Sequence, residues 1–357
     1  MDASPPDRLK GVALLVANGA LGAGIAIALG APLPFLLGAM VATATLCLTY
    51  GPRTALPLVF PQNIRNAFVA IIGVMIGSAF TPELLSQSAV LIPGSIAVAV
   101  FVGLSHGANY LIFSRLGHYD KISAHAAAMP GGLMESIQIT EEKGGDTALV
   151  TAQQFLRVAL IVTFVPLAFS FWQGEAVGSA AGMRLATETG GPIDWLLLAL
   201  AAIVGYLGGK RLRIPAYSVV GPMAVSAIFH ATGLTHAAVP PWLVATSQLV
   251  IGVGLGTRFI NLRGKDYRRI ILLGLLSSAV MVSIGLAISA VLHPITDTPV
   301  PVLILSFAPG GLIEMGLIAL SLEASPLIVT FYHIIRIILT VLLATLVLSR
   351  LTPTKRP

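Results

Sequence analysis

Long apolar runs, one after another, constrain this chain more than any other feature. They fall at roughly 11–31, 33–50, 63–80, 89–113 and 147–171, and again at 192–209, 215–232, 241–260, 270–292 and 326–349. Runs of about 17–25 apolar residues are long enough to cross a bilayer as helices. Lipid offers no partner for a free peptide group, so a spanning helix must satisfy its own backbone. Hydrophobic residues make up 56% of the chain and charged residues 10%, against about 25% charged in a soluble domain. The predicted class is an all-α polytopic membrane protein. The net charge of +6 is then a matter of cytoplasmic loops rather than of nucleic-acid binding. The single cysteine, Cys47, excludes a disulfide framework. The polar stretch 1–10, with no small-residue cleavage region after it, reads as leading into an uncleaved first helix.

Two further segments, 121–143 and 299–322, are apolar but broken. Pro130-Gly131-Gly132-Leu133-Met134-Glu135 returns as Pro309-Gly310-Gly311-Leu312-Ile313-Glu314, 179 positions later. Proline and glycine interrupt helical hydrogen bonding, and both suit a fresh helix start. At membrane depth such a break is tolerated only against protein or a wet cavity. Two more landmarks share the same offset. Ile72-Gly73-Val74-Met75-Ile76-Gly77 matches Ile251-Gly252-Val253-Gly254-Leu255-Gly256, and Phe155-Leu156-Arg157-Val158 matches Ile334-Ile335-Arg336-Ile337. The chain is an internal duplication, with a first repeat at 1–172, a joining loop at 173–191 and a second repeat at 192–357.

Charge sets the expected orientation. With both broken segments re-entrant, ten segments span and the N- and C-termini are cytoplasmic. Apart from Arg157 and Arg336 within spans, every Lys and Arg except Arg184 then falls inside, as the positive-inside rule asks. Five spans per repeat is an odd number, so the second repeat is inverted relative to the first. Inverted repeats with broken helices meeting near the midplane are the architecture of secondary transporters.

The doubled Pro-Gly-Gly-Leu-x-Glu segments and the repeat layout resemble the bacterial AbrB-type membrane family, over nearly the whole chain. That family is named after a regulatory phenotype, and automatic naming often attaches an ammonia monooxygenase label to it. The layout is also similar to sodium-coupled glutamate and citrate carriers, whose re-entrant loops are Gly-rich. This second resemblance is architectural and implies a class of function rather than a substrate.

The candidate substrate-binding residues are Gly131, Gly132, Glu135 and Arg157, with Gly310, Gly311, Glu314 and Arg336 in the second repeat. Each glutamate would lie on the first turn of an inward half-helix, where it either serves the site or complements its own helix dipole. Each arginine lies about ten residues into a span and needs a partner. The matched pairs suggest Glu–Arg ion pairs, as a structural lock or as holders of a substrate carboxylate. The glycines leave half-helix N–H groups free for an anion, or simply permit a tight tip. Secondary candidates are Ser136, Gln153, Gln154 and His333, the last replacing Gln154 in the second repeat.

The seven histidines are scattered in sequence, with His125 the one placed near a break. This dispersal opposes a copper or iron oxygenase, and no catalytic residue, metal site or cofactor is expected. The predicted function is secondary transport of a small polar or anionic solute by alternating access, in a bacterial inner membrane. A membrane regulator acting indirectly on gene expression is the alternative, and a metal-dependent monooxygenase comes third. Sodium or proton as coupling ion stays open, as does a homo-oligomer. The expected partners are the solute and the lipid bilayer, not nucleic acid.

Overall fold

A computed structural model describes residues 5–78, 88–174, 177, 190–214, 216–262, 267–322 and 324–349. Most of the joining loop 173–191, the cations Arg184, Arg263 and Lys265, and both chain ends lie outside the described residues. Fourteen α-helices and no strand occur among the described residues. They are α1 (Pro5–Ala28), α2 (Pro34–Thr49), α3 (Gln62–Ser78), α4 (Ser88–Leu111), α5 (Lys121–Ala127), α6 (Leu133–Lys143) and α7 (Thr147–Gln173). The second series is α8 (Pro192–Arg211), α9 (Tyr217–Ala231), α10 (Pro241–Gly256), α11 (Tyr267–Thr296), α12 (Val300–Phe307), α13 (Leu312–Ser321) and α14 (Pro326–Ser349).

Of the ten predicted spans, seven are helices long and apolar enough to cross a membrane, and the chain is a multi-pass membrane protein. The other three have fewer described residues. The helices α2, α3 and α9 have 16, 17 and 15 described residues. At about 1.5 Å per residue, 16 residues reach about 24 Å, short of the about 30 Å hydrocarbon core. Proline at the start of α2 and Gly233 in left-handed geometry (φ 71°) just past α9 mark where two of them stop.

The chain forms two compact units that cut across the repeats. The first holds residues 1–86, 165–260 and 316–327. Its helices cross at glycines, where small residues let backbones approach. A methyl group at Gly22 would overlap the Gly38 carbonyl, and α8 meets α9 in the same way at Gly205 and Gly221. Gly73 and Gly77 of α3 lie on the carbonyls of Val219 and Met223 in α9. Gly252 and Gly256 of α10 lie on those of Leu36 and Met40 in α2. Equivalent contacts therefore recur in the two repeats. The equivalent helices α3 and α10 run antiparallel: Arg258 donates to the Gln62 amide oxygen at 3.1 Å, while Arg65 packs on Gly254 one turn along each helix.

The second unit holds residues 87–164, 261–315 and 328–357. Here α4 and α11, again equivalent between repeats, also run antiparallel. Arg269 at the start of α11 donates to the Leu116 carbonyl beyond the end of α4 at 3.0 Å. Further along, Phe113 shares a core cluster with Leu273, and Phe101 and Gly285 both lie against Phe307. The first broken segment is a hairpin. Asp120 caps α5 by accepting from the Ser123 amide at 3.0 Å, and the chain leaving α6 comes back to that point. The Asp146 amide donates to the Ser123 hydroxyl at 2.8 Å, and Gly145 sits against Ile122. The segment thus enters and leaves at one end, which gathers Arg115, Lys121, Lys143, Arg268 and Arg269 on elements that meet there.

Candidate functional site

The Pro-Gly-Gly breaks separate short half-helices. The first lies between α5 and α6, and Gly132 supplies the left-handed residue it requires (φ 62°). The second lies between α12 and α13. Both glutamates occupy the first turn of the outgoing half-helix, as expected. Glu314 is buried (4% exposed), whereas Glu135 is half-buried. Each carboxylate folds back over the glycine that starts its own helix. A Cβ at Gly132 would stand 3.3 Å from Oε2 of Glu135, and one at Gly311 would overlap Oε2 of Glu314.

The geometry of the two arginines is one of main-chain capping rather than of the expected Glu–Arg pairing. Arg157 and Arg336 are buried, at 4% and 2% exposed, and they serve main-chain carbonyls instead. Arg157 Nη1 donates to Met129 O, and Arg336 Nη1 donates to Ala308 O, the equivalent position 179 residues on. Arg336 Nη2 adds a bond to Gly310 O at 2.8 Å. The physical reason is the break itself. The last carbonyls of α5 and α12 have no helical partner, and a cation is favoured at a helix C-terminus. Gln154 reinforces the first break, where its Nε2 donates to Ala126 O at 2.9 Å, Met129 O at 3.3 Å and Ala127 O at 3.4 Å.

The two breaks also exchange partners between repeats. Gly131 faces α14 of the second repeat, where a Cβ would lie 3.5 Å from Thr340 Oγ1 and 3.6 Å from Arg336 Nε. Gly310 faces α7 of the first repeat, against Ile161. Positions 161 and 340 are themselves equivalent, so the arrangement is reciprocal. Thr340 is fully buried and belongs to this site. It was not singled out in the sequence, because its counterpart in the first repeat is the apolar Ile161.

Several groups here are left without hydrogen-bond partners: Nε of Arg157 and Arg336, Oγ1 of Thr340, Oε1 of Gln154 and Nε2 of His333. Buried polar atoms of this kind call for an explanation such as a ligand or ion. The Arg336 Nε–H and the Thr340 hydroxyl, both beside Gly131 near the N-terminus of α6, suit an anion, and the Arg157 Nε–H is a second unused donor on α7. His333 donates through Nδ1–H to Val329 O of its own helix, 2.9 Å away. Gln153 does not join the site. Its Nε2 bonds Tyr119 Oη at 2.8 Å and Ile270 O at 3.1 Å, tying α7 to α11. Ser136 and Thr140 bond carbonyls of α6 itself. Among the described residues no group of three or more His, Cys, Asp or Glu gathers as a metal site would.

Glu135→Gln is expected to cost at most about 1 kcal/mol of stability, the scale of a charge–dipole contact at a helix start. Loss of a buried ion-pair partner would cost about 3–5 kcal/mol. Unfolding in mixed micelles separates the two, and a loss on the larger scale would restore the ion-pair reading.

Two relatives match over part of their length. The Bacillus subtilis (strain 168) protein "Uncharacterized protein YhjN" is 28% identical over 242 residues, covering 64% of this chain and 63% of that protein. The Escherichia coli (strain K12) protein "Putative regulator AbrB" is 27% identical over 235 residues, covering 64% of this chain and 65% of that protein. The match thus spans a little under two thirds of each relative. The sequence pattern of the family described as transition state regulatory protein AbrB covers residues 35–352, both breaks and both buried arginines included, and the chain belongs to that family.

Proposed function

We propose that the protein is a secondary transporter that moves a small anionic solute by alternating access, with the solute held between residues 130–136 and 309–315. The observation that carries this reading is the reciprocal placement of the two breaks. Each Pro-Gly-Gly tip rests on the deep helix of the other repeat, and the unused Nε–H of Arg336 lies beside the first tip. The antiparallel courses of α3 against α10 and of α4 against α11 support an inverted duplication, the architecture in which midplane breaks bind substrate. The basic residues collected at one end of the second unit support a cytoplasmic placement of that end, in a bacterial inner membrane. The E. coli relative's printed name favours a second reading, a membrane regulator whose effect on gene expression is indirect. Solute-dependent flux in proteoliposomes separates the two.

The binding test uses Gly131→Ala. The structure makes it a gentler probe than valine at Gly132, whose positive φ strains any β-branched side chain. The alanine methyl would sit at ordinary contact distance from Thr340 and Arg336, so the stability change is expected to stay within about 1 kcal/mol. It would nevertheless cover the free Nε of Arg336. In a thermal-shift screen of carboxylates, amino acids and amines, an anion should stabilise the wild type, by about 2.7 kcal/mol at 100 times its Kd. That shift should vanish in Gly131→Ala. Stabilisation by amines alone, or an anion shift unchanged by the alanine, would remove the anion site from this place.

A further inference from the structure

A second buried polar cluster lies in the same unit, on α4 and α5. His106 Nε2 and His125 Nδ1 are 3.1 Å apart. Their rings are nearly parallel, with centroids 5.3 Å apart, and Tyr110 stacks on His125 with centroids 3.9 Å apart. The dispersal of the histidines in sequence does not carry over to space. A 19-residue separation is closed here because α5 packs against the end of α4. The two rings differ in burial. His125 is half-buried, while His106 is 6% exposed. His106 Nδ1 has no partner, and neither do Ser105 Oγ and both amide atoms of Asn109, residues that are fully buried.

We propose that His106 and His125 form a proton-binding and relay site inside the membrane-spanning part of this unit. Two neutral imidazoles hold two ring protons on four nitrogens. One proton lies in the Nε2···Nδ1 bond, and one of the two outer nitrogens, His106 Nδ1 or His125 Nε2, is bare. A proton arriving at a bare His125 Nε2 makes that ring cationic. The bridging proton then crosses to His106 Nε2, and the proton on His106 Nδ1 departs. One proton enters, one leaves, and no electrons move. A water molecule or solute reaching His106 Nδ1 takes that proton, and Ser105 Oγ and the Asn109 amide, buried on the same stretch of α4 without partners, can serve only as hydrogen-bonding groups. A titratable pair at membrane depth is a functional candidate by default.

The other chargeable groups on the elements packed around α4 and α5 are engaged elsewhere or lie at their ends. Arg157 of α7 holds Met129 O, Asp146 caps the Leu149 amide, Asp120 caps that of Ser123, and Arg269 of α11 holds Leu116 O. Arg115 ends the turn after α4, and Lys121 opens α5. On α6, Glu142 pairs with Gln138, while Glu135, Glu141 and Lys143 stand along the outgoing arm of the hairpin. Tyr267 and Arg268 open α11.

The site stands on its own geometry. Where the transport reading also holds, it seats the coupling proton, because α5 leads from His125 to the first break in five residues. The test needs no substrate. Histidine-selective NMR of the full purified chain in detergent should show the two imidazoles titrating together. Removing either ring, by His106→Asn or His125→Asn, should move the survivor's midpoint by about one pH unit or more, as coupled sites do. Potential-driven proton uptake into proteoliposomes holding a pH dye should fall to background in both variants. If His106→Asn fails to fold, His125→Asn on the more exposed ring gives the same measurement. Independent titration of the two rings, no protonation of either between about pH 4 and 8, or wild-type proton uptake in the His125 variant would each overturn the proposal.

Discussion

Replacing Arg336 by methionine is expected to destabilise the protein by about 3 kcal/mol, and replacing Arg157 to cost roughly half as much. Hydrogen bonds from a charged donor are worth about 1.5–3 kcal/mol each. Arg336 makes two such bonds, to Ala308 O and Gly310 O, at the end of a half-helix with no other capping side chain described. Removing one of two neighbouring buried cations relieves part of that loss. Arg157 shares its carbonyl with Gln154, which also covers Ala126 O and Ala127 O. The first break thus keeps a donor when its arginine is lost, and the second does not. Arg336→Lys should fall between, since ammonium keeps the charge but not the fork that spans two carbonyls. Unfolding free energies in mixed micelles give the order directly. A loss at Arg157 equal to or above that at Arg336 would show that these side chains are not principally carbonyl caps.

Gly221→Val is expected to yield no folded protein. Overpacking a core of side chains costs about 1–3 kcal/mol, because neighbours can shift. At this crossing the obstacle is main chain, since a Cβ on Gly221 would overlap the Gly205 carbonyl oxygen. The gain of up to about 1 kcal/mol from replacing a helical glycine cannot offset that. Gly38→Val should fail similarly against Gly22 in the other repeat. Gly208, with nothing within 4 Å of a Cβ position, is the control and should accept alanine. Monodisperse elution of the Gly221 variant at wild-type yield would mean that α8 and α9 do not cross there.

The helices were legible in the sequence because membrane helices satisfy their backbone locally. Apolar runs, start prolines and glycine stops are statements about neighbours in the chain, and α4, α7, α8, α10, α11 and α14 fall on the predicted runs. The duplication was legible too, since it is a property of the letters. The burial of Arg157 and Arg336 followed from their depth in those runs. Their partners did not. Opposite charges at matched positions suggested ion pairs, but a broken helix leaves carbonyls whose demand for a donor depends on where the chain ends in space. Thr340 and the His106–His125 pair were invisible for a related reason. Each acquires meaning only from a residue 19 to 209 positions away, brought close by a hairpin or by the exchange of partners between repeats. Sequence determined which segments are helices and which are copies. Tertiary structure alone decided which polar atoms those copies leave without a partner, because hydrogen-bond satisfaction in a dry interior is settled by three-dimensional neighbours.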